Sequence, residues 1–246
     1  MAPINIETTL IKDMLPYQLK VSINLVKNKI LDFFNHVPYA GKSEEEITYH
    51  GDVELTQEIK KSETNSAKVQ NFKIAIVQIE QIVIHPNEVF SFWRTVGRPS
   101  KKQGFKESRS IVNGTLVSTY GGGLCQLSGL IYFASLCADL DIMERHNHST
   151  DIYTNETRFT PLGSDATVVF GFKDFKVRNN LTKPIRFTFV LEKDKLTIRL
   201  HSNATLRKVD VKFVKNENDA NEILTYVDEK LKTKSRLRFK FFIYIS

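Results

Sequence analysis

Three consecutive glycines, Gly121, Gly122 and Gly123, open onto the stretch 124–140, which carries no charged residue before Asp139. A helix that is apolar on nearly every side offers no face to water, so other elements of the chain must enclose it. The glycine run breaks whatever precedes it and supplies a sharp entry to that helix. With 246 residues and 41% hydrophobic content, the chain has enough material to build layers around it.

Patterning elsewhere predicts those layers. Over 16–34, Leu19, Ile23, Val26, Ile30 and Phe33 form one apolar stripe, with Lys20, Lys27 and Asp32 off it and Pro16 fitting the first turn. The stretch 37–64, with Pro38, Gly41, Gly51 and three successive glutamates, reads as an irregular connection. A second helix is expected from Asn65 or Ser66, with Val69, Phe72, Ile76, Ile79 and Val83 on one face, ending before His85-Pro86-Asn87. Strands are expected at 89–93, at 109–112 and 115–119 around the hairpin signal Asn113-Gly114, and at 142–149, 166–172, 185–191 and 196–201. The last two are joined by a tight turn at Lys193-Asp194. The class is α+β: N-terminal helices and a buried central helix starting at the cysteine, packed on a mainly antiparallel sheet.

No apolar run reaches the ~18 residues of a membrane span, and the N-terminus lacks a basic region followed by an apolar core, so a cytoplasmic chain is expected, with cell-envelope association open. The formal charge of +7 suits an anionic polymer or membrane surface rather than a specific nucleic acid. Lys230, Lys232, Lys234, Arg236, Arg238 and Lys240 recur at every second residue, which in a strand puts all six on one face. That face is either a charge-protected edge or an anion-binding stripe.

The two cysteines, Cys125 and Cys137, are not expected to pair: along a helix they stand about 18 Å apart, beyond the ~7 Å reach of a disulfide. Cys125 lies where the glycine turn enters the helix, and the unsatisfied N–H groups and dipole of that terminus favour a thiolate. The glycines allow close approach of a substrate backbone, and their amides or the Gln126 side chain are candidate donors to an oxyanion. Cys137, deep in the apolar helix, reads as an inert core thiol.

The second half of the site is Glu144-Arg145-His146-Asn147-His148-Ser149. Strand alternation puts Glu144, His146 and His148 on one face and Arg145, a candidate substrate contact, on the other. His146, deeper in the strand, is the favoured base, with His148 left to meet substrate or an orienting carboxylate. Asp165 and Asp174 are candidate orienters, and Asp151 a third.

The blocks Asn87-Glu88-Val89-Phe90-Ser91-Phe92-Trp93, Val96-Gly97, Gly104-Phe105, Ile111-Val112-Asn113-Gly114, Gly121-Gly122-Gly123-Leu124-Cys125-Gln126-Leu127-Ser128, Glu144 to Ser149, and Asp165-Ala166-Thr167-Val168-Val169 resemble, in order, those of the VanW family. The resemblance implies a domain at 65–202, between an N-terminal helix and connection at 1–64 and a basic extension at 203–246. Some cell-wall proteins with a similar domain are L,D-transpeptidases whose cysteine is the nucleophile. By that resemblance Cys125 would form a thioester with a peptidoglycan peptide or precursor, without a cofactor, and pass the acyl group to an amine or water. Two rival readings stand beside it. One is a zinc site at Cys125, His146 and His148 with an aspartate; the other is an accessory protein that binds a wall precursor or glycopeptide without turning it over.

Overall fold

The computed structural model describes residues 15–47, 53–59, 64–112, 115–148, 160–207 and 209–237. Asp151 and the cations Arg238 and Lys240 lie outside them, and so does the Asn113-Gly114 turn. The architecture is α+β: helices stand against several small, mainly antiparallel sheets.

At the centre lies the helix that follows the glycines, which we label α4 (Leu124–Cys137). Its residues Leu124, Leu127, Leu130, Ile131, Tyr132, Ala134 and Leu136 are all buried, so the apolar run is enclosed on every side. On one side it meets α2 (Asn65–Ile79), which contributes Phe72, Ala75, Ile76 and Ile79 to the same core. On another it meets the three-stranded sheet β2-β10-β9, in which β10 (Lys195–Ser202) pairs with both β2 (Val53–Glu58) and β9 (Ile185–Leu191). Leu196, Ile198 and Leu200 alternate inward from β10, giving the period of two expected of a strand with one covered face.

Two further units frame the glycine turn and the residues after α4. The hairpin β5 (Glu107–Val112) and β6 (Thr115–Tyr120) leads into the glycines. The sheet β4-β8-β7 joins β4 (Val89–Ser91), β8 (Lys176–Arg178) and β7 (Asp141–Glu144). A C-terminal meander of β11 (Val211–Asn216), β12 (Asp219–Val227) and β13 (Lys230–Arg236) packs alongside. The short β1 (Gly41–Lys42) and β3 (Ile82–Val83) pair with each other.

Several elements depart from the sequence reading. Residues 37–64 are not wholly irregular, because β1 and β2 lie there; the inward face of β2 is Val53, Leu55 and Gln57, a short run interrupted by a polar residue that does not stand out without β10 beside it. Val83 belongs to β3, not to the preceding helix. The strand expected at 89–93 ends at Ser91, where the serine hydroxyl accepts from Arg94 N–H (3.2 Å) and starts the short helix α3 (Phe92–Val96). Residues 166–172 form no strand; Val169 carbonyl oxygen accepts from both Phe172 and Lys173 N–H, closing a turn.

The first helix, α1 (Tyr17–Phe34), forms where the pattern places it, but its apolar stripe faces outward. It docks by the opposite side: Val21 is buried against Gly171, Tyr17 stacks on Phe172 (5.6 Å between centroids), and Asp32 pairs with Lys176 (3.7 Å).

β13 is an edge strand. A register shift opposite Thr225 and Tyr226 breaks its alternation, so Lys230 and Lys234 do not share one face. Lys232 instead pairs with Asp139 (2.5 Å), Arg236 with Asp219 (3.2 Å) and Lys234 with Glu222 (4.0 Å).

Candidate functional site

Cys125 is the second residue of α4 and is half-buried, with its sulfur 3.6 Å from the carbonyl oxygen of Val168. The turn that delivers it is fixed by neighbours that leave no room for side chains. A Cβ on Gly122 would stand 2.1 Å from the carbonyl oxygen of Ser108 in β5. Gly123 adopts φ 93°, and a Cβ there would press on Lys68 of α2. Asn71, fully buried on α2, staples the turn: its amide donates to the carbonyls of Gly122 (2.9 Å) and Lys106 (3.0 Å), and its oxygen accepts from Lys106 N–H (2.8 Å). The glycines thus serve close packing within the chain, with Gly121 and Gly122 buried.

The histidines part company because β7 stops at Glu144, so strand alternation does not extend over 145–148. His148 turns to the cysteine. Its Nδ1 lies 2.8 Å from Asp165 Oδ2, and Cys125 is the other group that acts on its ring, which leaves Nε2 as the nitrogen for the sulfur. Burial works against a charged ring, but the hydrogen bonds to Asp165 and Cys125 outweigh it and raise the pKa to about 10. His146, the base favoured from sequence, turns away: its Nε2 is 3.0 Å from Glu144 Oε1. Burial would push the Glu144 carboxyl up, but His146, the N–H of Asp174 and the Lys176 ammonium (3.2 Å) hold it at about 2.

Asp165 is placed by Arg145. The guanidinium donates to Asp165 Oδ1 (3.0 Å) and to the carbonyls of Asp165 (2.7 Å) and Gly163 (2.9 Å), bonds Ser235 on β13 (2.6 Å), and lies over the Tyr132 ring. Its side chain is only 4% exposed, so it braces the carboxylate from behind and has no face left for a substrate. Burial opposes ionisation of Asp165, yet the His148 hydrogen bond and the Arg145 charge carry its pKa below the usual range. The result is a chain of contacts, Arg145 to Asp165 to His148 to Cys125.

Other candidates take structural posts. Asp174 accepts from Ser91 Oγ (2.5 Å) and from the N–H groups of Trp93 and Phe175, organising the start of α3. Gln126 gives one of its two amide N–H groups to the carbonyl of Glu58 (2.9 Å), and the Gly121 and Gly122 amides bond Lys106 and Thr119, so those two glycine amides are not free for an oxyanion. The N–H of Cys125 itself has no acceptor among the described residues. Cys137 closes α4, half-buried against the core rather than deep within it, and burial pushes its thiol up to about 11. Among the described residues no three His, Cys, Asp or Glu side chains are grouped to hold a metal ion, and His146 is directed away from Cys125.

Two residues near the cysteine escaped the sequence reading. Asn71 and Lys68 sit on α2, about 55 residues before Cys125, and only the packing of α2 on the turn brings them there. Lys68 lies along Gly123 with its ammonium 5.6 Å from the centre of the Phe72 ring, and burial lowers its pKa to about 8. A polar Asn71 mid-helix, next to Phe72 at the margin of the apolar face, was the one available signal.

Comparison with known proteins places this site in context. The chain is 33% identical over 150 residues to the uncharacterized protein YoaR of Bacillus subtilis, an alignment covering 59% of this chain and 48% of that protein. It is 33% identical over 129 residues to the vancomycin B-type resistance protein VanW of Enterococcus faecalis, covering 52% of this chain and 47% of the relative. The chain thus spans about half the length of these relatives. No solved structure matches. The family model described as VanW like protein matches residues 67–201, a stretch that holds the glycine turn, Cys125, His148 and Asp165. That match covers more than half of the sequence, and the chain belongs to the VanW family.

Proposed function

We propose that the chain is a cysteine-dependent acyl transferase of the L,D-transpeptidase or peptidase kind, acting on peptidoglycan-type peptides. The observation that carries this reading is the Cys125, His148, Asp165 contact chain at the start of a buried helix. His148, held in its charged form with Asp165 behind it, is the proton donor beside the sulfur. In the reaction, Cys125 Sγ attacks a peptide carbonyl carbon, the C–N bond breaks as the leaving amine takes a proton from His148, and a thioester remains until an amine or water gives a proton back to His148 and displaces the sulfur. The Cys125 N–H is the donor best situated for the developing oxyanion. Similarity to a vancomycin resistance protein supports a role linked to glycopeptide resistance.

An accessory role without turnover draws on a different observation, the engagement of Gln126 and two glycine amides within the chain, which leaves few oxyanion donors. Mass spectrometry after incubation with peptidoglycan tetrapeptides separates the two. The enzyme reading expects a covalent adduct on Cys125 that is lost in Cys125→Ala. Peptide binding without an adduct contradicts it and favours the accessory role.

A further inference from the structure

We propose that α1 is a docking surface for an anionic lipid bilayer, lying in the plane of the interface with its apolar stripe inserted. The inference is independent of the chemistry at Cys125. It starts from an inversion: Leu19, Ile23, Val26 and Ile30 are between 45% and 57% exposed, and Phe33 and Phe34 are 76% and 72% exposed, while Val21 alone of the helix is buried. Ile23, Val26, Ile30 and Leu31, with the stem of Lys27, line a shallow surface groove. A helix that merely covered a core would turn this stripe inward.

The charges say what covers it. At about 100° per residue, Lys27 falls roughly 90° to one side of the stripe and Lys29 roughly 90° to the other. Long lysine stems on both margins of an apolar face let the ammonium groups reach phosphates while the stripe enters the acyl boundary. The helix carries one acidic residue, Asp32, and it points the opposite way, into its pair with Lys176 and a hydrogen bond with Tyr39. A second copy laid on this face would bring lysines against lysines with no outward carboxylate on either helix to pair them. No helix among the described residues is long and apolar enough to cross a membrane, so this one lies on the surface.

The docking side of α1 also ties it to the cysteine site. Val21 packs on Gly171, three residues from Val168, and Asp32 reaches Glu144 and His146 through Lys176. An interface-bound α1 therefore rests on the same framework that holds Cys125 and His148.

The test is flotation of the full chain with vesicles of phosphatidylcholine alone and of phosphatidylcholine mixed with phosphatidylglycerol. Binding is expected to the mixed vesicles, weakening as salt rises, and falling about fivefold for each charge lost in Lys27→Ser and Lys29→Ser. The triple variant Ile23→Asn, Val26→Asn, Ile30→Asn should lose binding while keeping the wild-type circular dichroism spectrum and melting temperature, since these side chains are exposed. Lys234→Ser with Arg236→Ser, on the edge strand, should bind as wild type. The proposal is overturned if the wild type stays with the unbound fraction, if the triple variant floats as well as wild type, or if the edge-strand variant alone abolishes binding. It is equally overturned if the wild type is a dimer in solution that the triple variant splits, which would assign the stripe to a second copy.

Discussion

One oxygen of Asp165, Oδ2, takes both the ring Nδ1 of His148 at 2.8 Å and the backbone N–H of the same residue at 2.6 Å. Because the carboxyl is held ionised and can only accept, Nδ1 carries the proton, and Nε2 is left for the sulfur. Ring and backbone are thereby fixed by a single atom, itself braced by Arg145.

This arrangement predicts a pH dependence. The His148 pKa rises from 6.5 to about 10 on folding, so the charged ring stabilises the native state fully below about pH 6.5, and that stabilisation is lost as pH climbs through about 10. Urea denaturation of wild type and His148→Gln should show a stability gap that narrows steadily across that window. A gap independent of pH would contradict the charged pair.

Glu144 predicts the opposite limb. Its pKa falls from 4.5 to about 2, so its contribution is present above about pH 4.5 and disappears as pH drops toward 2. In Glu144→Gln the acid unfolding transition should lose this component, and the difference from wild type should be largest near neutral pH. Equal acid sensitivity in both proteins would show that the Lys176 and His146 contacts do not hold the carboxylate.

The glycine turn predicts large costs from small changes. Asn71→Ala removes three hydrogen bonds to Gly122 and Lys106 in a buried setting and should destabilise by roughly 2–4 kcal/mol, read as a lower urea midpoint at unchanged slope. Gly122→Ala forces a methyl against the Ser108 carbonyl and should cost at least as much. Cys125→Ala, by contrast, trims a half-buried atom at a helix start and should change stability by less than about 1 kcal/mol.

Where local pattern settles an element, sequence sufficed. The buried helix, the helix of α2, the β5 and β6 hairpin and the β9 and β10 pair are legible because apolar period and turn residues agree over each. Cys125 and Asp165 were legible as candidates for the same reason, each marked by its place beside glycine or a strand-like run. The partition of the histidines was not. It depends on β7 ending two residues before His146, an outcome set by the bulge at Met143 against β8 and by a Glu144 whose partners come from residues 174 and 176. The role of Arg145 was hidden likewise, since Gly163, Asp165 and Ser235 reach it only through the fold. The outward stripe of α1 is the clearest case: amphipathicity reveals a face but not which side the rest of the chain will cover.

A partnership of Cys125 with His148 rather than with His146 shows itself in the rate of Cys125 alkylation by iodoacetamide. Measured near pH 7 in a Cys137→Ala background, His148→Ala should slow the reaction about tenfold or more, because the sulfur loses its cationic neighbour. His146→Ala should stay within about twofold of wild type, its ring being held by Glu144. A larger loss in His146→Ala, or equal rates in all three proteins, would contradict the account.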